Sequence, residues 1–81
     1  MFMKDNDFVK KFRIVIASLP DRENCVCEIY YEKMEWAEIS QEKDDVVIQF
    51  YPNPINEYWE FPLDIALEIL QQAKSRFIGK S

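Results

Sequence analysis

The chain has 81 residues and 9.8 kDa, enough for one domain that buries roughly 60–65% of its unfolded surface. Hydrophobic residues make up 48% and charged residues 31%, the composition of a folded chain. With no His, no Thr and a single glycine, Gly79, it lacks His acid–base chemistry, His metal ligands and a glycine-rich phosphate loop, which leaves a small binding or interaction protein.

In chain order, residues 1–9 read as a polar, flexible N-terminal arm. Phe12–Ser18 is rich in β-branched residues and stops at the turn signal Leu19-Pro20-Asp21. Cys25–Tyr31, Glu35–Gln41 and Val46–Tyr51 are three further strands, with Glu42–Asp45 as a polar loop before the last. Pro52 and Pro54 end the sheet, since proline cannot donate to a ladder. Tyr58–Phe61 is a candidate for a short fifth strand. Residues 62–78 form a helix with Pro62 at its first position, Asp64 in the first turn, and Lys74 and Arg76 near the end. Leu63, Ala66, Leu67, Leu70, Ala73 and Phe77 make its apolar stripe, widened by Ile65 and Ile69. The expected fold is α+β: one domain over 1–81, an antiparallel β-meander over 12–61, and the C-terminal helix on one face.

Side-chain alternation sets the register, because a one-residue slip would turn every side chain over. Pairing Ile29 with Ala37, Cys27 with Ile39, Ile39 with Ile48 and Ala37 with Phe50 gathers the apolar residues on one face. Cys25, Cys27, Ile29, Ala37, Ile39, Val46, Ile48 and Phe50 are then expected under the helix. A two-residue hairpin at Glu32-Lys33 would set Glu38 opposite Cys27, so a three-residue loop through Met34 is expected.

Charge is unevenly spread. Residues 21–60 hold eleven acids and three bases, a local charge of −8 within a net −5, while both ends are slightly basic. Such a field attracts a basic partner and repels nucleic acid and anionic membrane. Cys25 and Cys27 are too few for a zinc site without His and are expected as buried free thiols of a reducing cytoplasm. No run resembles a signal peptide or reaches the ~20 apolar residues of a membrane span.

The sheet face away from the helix is expected to carry Tyr30, Trp36 and Tyr51 as one cross-strand row and Glu28, Glu38 and Gln49 as the next. Rigid aromatics with interleaved carboxylates suit a protein interface. Glu28 and Glu38, as direct neighbours, also invite an acid-pair hydrolase reading, but an open face offers no pocket. Glu42, Asp44 and Asp45 lack the spacing and glycine of a calcium loop. No catalytic residue, cofactor or metal ligand is assigned, and no direct nucleic-acid binding is expected.

As strings, Cys27-Glu-Ile-Tyr-Tyr31, Trp36-Ala-Glu-Ile-Ser-Gln-Glu42, Ile48-Gln-Phe-Tyr-Pro52 and Trp59-Glu-Phe-Pro-Leu-Asp64 resemble the immunity proteins of contact-dependent growth inhibition and related polymorphic toxin systems. The resemblance runs from about residue 12 to residue 79. It implies a bacterial cytoplasmic antitoxin that is not an enzyme and that neutralises the C-terminal domain of one cognate toxin, in such systems often a nuclease. A nuclease must attract phosphates, so a basic cleft is expected on it. The resemblance carries over no contact residue; from the aromatic and acidic pattern of the open face, Glu28, Tyr30, Trp36, Glu38 and Tyr51, with Glu42, Asp44 and Asp45, are the expected contacts. Trp36→Ala with Glu38→Lys is expected to abolish protection and leave the fold intact. The alternative is a small acidic accessory subunit of another bacterial complex.

Overall fold

The computed structural model describes residues 8–79. β1 (Phe12–Ala17), β2 (Val26–Tyr31), β3 (Met34–Ser40) and β4 (Val47–Phe50) form one antiparallel sheet in that order, and a C-terminal helix (Leu63–Gly79) packs on it. Their β-branched and aromatic side chains suit a pleated, half-buried surface, and short connections keep sequence neighbours adjacent. The expected α+β meander is the observed fold. Of the arm expected over 1–9, residues 1–7 lie outside the described residues. Residues 8–11 are helical, and Phe8 and Val9 pack against the core. Tyr58–Phe61 forms no strand.

Cys27 pairs with Ile39, Ile29 with Ala37, Ile39 with Ile48 and Ala37 with Phe50, as the side-chain pattern requires. The hairpin that delivers this register differs from the expected loop. Tyr31 pairs directly with Met34 across the two-residue turn Glu32-Lys33, where Glu32 adopts φ 56°. A β-bulge then restores the core register: Tyr30 faces Glu35, Ile29 faces Ala37, and Trp36 is the extra residue between them. Trp36 thereby joins Ala37 in the core cluster, and Glu35 joins the opposite face.

Pro62 lies just before the helix, not at its first position, and its carbonyl accepts the Ala66 N–H at 3.1 Å. Asp64 and Arg76 stand at the helix poles of opposite partial charge. The buried stripe is Ile65, Ile69, Ala73 and Phe77, flanked by Ala66 and Leu70. Leu63, 71% exposed, and Leu67 face solvent, so the stripe is rotated from its expected centre.

The helix covers β1, β2 and β3. Cys27, Ile29, Trp36, Ala37 and Ile39 fill the space beneath it, and the rings of Phe12, Trp36 and Phe61 meet with centroids 5.0 to 5.6 Å apart. Each such buried side chain contributes about 1.5–3 kcal/mol by leaving water. Val46, Ile48 and Phe50, expected under the helix, are exposed. A helix is about 10–12 Å across, while four strands spaced by about 4.8 Å are wider, so the edge strand stays bare.

Cys25 and Cys27 are both free thiols, but Cys25 is only half-buried. The Cys27 thiol donates to the Ala73 carbonyl at 3.8 Å. Burial pushes its pKa up, against the pull of Arg76 and with the help of Glu28.

Candidate functional site

Alternation along β2 and β3 sends every second side chain to the sheet face away from the helix. Glu28 and Glu38 are direct cross-strand partners there, and the bulge adds Glu35 opposite Tyr30. The result is a cluster of three carboxylates whose oxygens lie within 4.8 Å of one another. Glu28 and Glu35 are half-buried, and Glu38 is only 3% exposed.

The cluster has polar partners on each side. Tyr51 donates its phenol to Glu38 Oε1 at 3.0 Å, and Tyr30 donates to Glu28 Oε1 at 3.4 Å. Arg22, on the β1–β2 connection, brings Nη2 to 2.9 Å from Glu38 Oε2, an ion contact without hydrogen-bond alignment. The Arg13 guanidinium lies 4.8 Å from the centre of the Tyr30 ring. Glu35 Oε2 is buried with no hydrogen-bond partner among the described residues.

Crowding three carboxylates away from water disfavours ionising all of them. Burial first, then the charges of Glu28 and Glu38, push the Glu35 pKa up to about 7. Burial, the hydrogen bond to Glu38 and the charges of Glu38 and Glu35 push Tyr51 up to about 12, against Arg22. Tyr30 also rises, through burial first and then through Glu28 and Glu35. Near neutral pH Glu35 is therefore only part-ionised. The cluster's spacing would admit a divalent cation or a partner's ammonium or guanidinium, and Arg22 already supplies one positive charge.

Glu28, Tyr30, Glu38 and Tyr51 come together as the sequence suggests. Trp36 does not: it is 6% exposed and packs among Phe12, Phe50 and Phe61, so its assignment to the open face is corrected. Glu35 takes the place expected for it. The signal was the run Glu35-Trp36-Ala37-Glu38, where two apolar residues interrupt the alternation and leave two acids on one face.

Glu42, Asp44 and Asp45 sit apart from the cluster on an exposed loop, around an open hollow of about 440 Å³ bounded by Ser40 and Val47. The Gln41 side chain donates to the Asp44 carbonyl at 2.8 Å, and the Asn24 side chain donates to the Gln41 carbonyl at 3.0 Å. These bonds tie the loop to the β1–β2 connection. That connection also explains why the face is not fully open: Arg22 reaches back to Glu38, and Val26 and Ser40 are buried.

A larger groove, about 610 Å³, lies at the opposite end beside the β2–β3 turn, with Glu32, Glu57 and Glu60 among aromatic rings. Asn53 shapes its wall: its Oδ1 accepts the N–H groups of Ile55 and Asn56 at 2.9 and 3.0 Å. Trp59 donates from Nε1 to the Tyr51 carbonyl at 2.8 Å and anchors the segment to the sheet. Neither hollow is lined by any of the three clustered carboxylates. No helix among the described residues is long and apolar enough to cross a membrane. Compared with known proteins, the chain matches no family model, no curated protein and no solved structure.

Proposed function

We propose that the chain is a cytoplasmic immunity protein that binds the C-terminal domain of one basic toxin, a nuclease, and neutralises it by covering its phosphate-attracting surface. The observation that carries this reading is the convergence of Glu28, Glu35 and Glu38 within 4.8 Å on the helix-free sheet face. A surface built to attract phosphates presents Lys and Arg, and those groups are attracted to a compact carboxylate cluster. Glu28 and Tyr30 meet the partner directly, while the buried Glu38 acts through its field. Glu42, Asp44 and Asp45 extend the attraction and speed the encounter at low salt.

The reading is supported by the charge of −8 over residues 21–60. It is tested genetically in the strain that encodes the chain. Deleting its gene should be toxic only while a neighbouring gene for a large secreted toxin is intact. Equal growth of the single and double deletion strains would point to an accessory-subunit role.

A further inference from the structure

We infer that β4 is a self-association edge, through which two copies of this chain join their sheets antiparallel about Ile48. The inference rests on the two edges of the sheet being treated differently. At β1, Arg76 Nη1 donates to the Ile14 carbonyl at 3.2 Å, Arg13 adds charge within the strand and Lys11 immediately precedes it. Charged side chains and covered backbone groups are the usual protection against edge-to-edge pairing. At β4 the run from Val46 to Tyr51 carries no charge. Val46, Val47, Ile48 and Phe50 are 46%, 51%, 41% and 53% exposed.

Backbone hydrogen-bond parity then fixes the geometry. The Tyr51 N–H donates to the Trp36 carbonyl at 2.9 Å, and β3 and β4 run in the register Ala37 to Phe50 and Ile39 to Ile48. In an antiparallel ladder the bonded positions alternate, so Val47, Gln49 and Tyr51 turn their peptide groups toward β3. Ile48 and Phe50 turn theirs outward. A second β4 docked antiparallel meets those groups when Ile48 pairs with Ile48 of the second copy and Val46 pairs with its Phe50.

That arrangement is isologous and closes as a two-fold dimer. It puts Val46, Ile48 and Phe50 of both copies on one surface between the two helices, where each apolar side chain meets another. Asp45 falls opposite Tyr51 and Asp44 opposite Pro52, so no carboxylate faces a carboxylate. The occupant is a second copy because the strand is self-complementary in hydrogen bonding, in apolar side chains and in the placement of charge. The inference does not depend on the toxin reading: the carboxylate cluster lies on the opposite sheet face, which the apolar contact between the two copies does not cover.

The test is the mass of the full chain in solution by light scattering, at concentrations up to about 1 mM, which detects even millimolar affinity. Twice the 9.8 kDa chain mass is expected, with association tightening as salt screens the −5 charge on each copy. Ile48→Lys, at an exposed edge position, should return the monomer mass with an unchanged circular dichroism spectrum. In a Cys25→Ser background, Ile48→Cys should cross-link on mild oxidation, since bonded antiparallel partners lie about 5.5 Å apart at Cα. Val46→Cys alone should not. A wild-type monomer throughout, a dimer that survives Ile48→Lys, a dimer loosened by salt, or equal cross-linking at positions 46 and 48 would each overturn the inference.

Discussion

Arg22 and Glu38 meet at 2.9 Å, joining the β1–β2 connection to the centre of the sheet. Glu38 is 3% exposed, so this contact and the Tyr51 hydrogen bond stand in for the water its carboxylate has lost. Removing one partner of a buried pair leaves an uncompensated charge. Arg22→Ala should cost about 2–3 kcal/mol, below the fully buried figure because Arg22 is partly in solvent. Adding Glu38→Gln should restore part of that loss. Urea unfolding of the two single variants and the double variant checks both, and additive losses would show that the contact contributes nothing.

Trp36 belongs to the core, so the expectation that Trp36→Ala with Glu38→Lys leaves the fold intact is withdrawn. Its ring lies 5.6 Å from Phe12, 5.6 Å from Phe50 and 5.1 Å from Phe61. Truncation should cost about 3–5 kcal/mol, a large share of what a domain this size holds. Trp36→Phe should cost clearly less. Thermal denaturation of the two variants measures the difference.

Glu35 makes stability depend on pH. Its folded pKa of about 7 lies above the ordinary 4.5, so the folded state binds the proton more tightly than the unfolded one. Its relative stabilising effect is complete below about pH 4.5 and is lost as pH rises through 7. Between pH 5 and pH 8 this group should remove about 1–2 kcal/mol, allowing for its contact with solvent. Glu35→Gln should flatten that part of the profile and raise stability at pH 8. A profile unchanged by the substitution would show that Glu35 ionises freely.

Glu32 holds φ 56° at the first position of the β2–β3 turn, a region that disfavours side chains with a Cβ. Glu32→Gly should stabilise the fold by about 1 kcal/mol, read as an upward shift in the urea midpoint. Glu32→Val, branched at Cβ, should shift it downward.

How much of this was legible follows from where sequence patterns are unambiguous. The pairs Cys27–Ile39 and Ile39–Ile48 were readable because an alternating strand has one register that gathers its apolar side chains on one face of the sheet. The bulge at Trp36 was hidden because neither it nor the turn before it contains a glycine. The helix offered two adjacent apolar stripes, one through Ile65 and Ile69 and one through Leu63 and Leu67, and only packing on the strands selects between them. Val46, Ile48 and Phe50 read as core by composition, but a single helix leaves that edge uncovered. Glu28 and Glu38 were legible as a pair. Glu35 was not, since its place in the cluster depends on the bulge.

The central claim, that the Glu28–Glu35–Glu38 cluster holds a basic toxin domain, is tested most directly by capture from the strain that encodes the chain. Tagged wild-type protein and a Glu28→Gln/Glu35→Gln variant are compared, with mass spectrometry of what each retains. The wild type should hold the C-terminal domain of one large secreted protein and release it as salt is raised, and the variant should hold little or none. Equal retention by the two proteins, recovery of a housekeeping complex, or recovery of nothing by the wild type would contradict it.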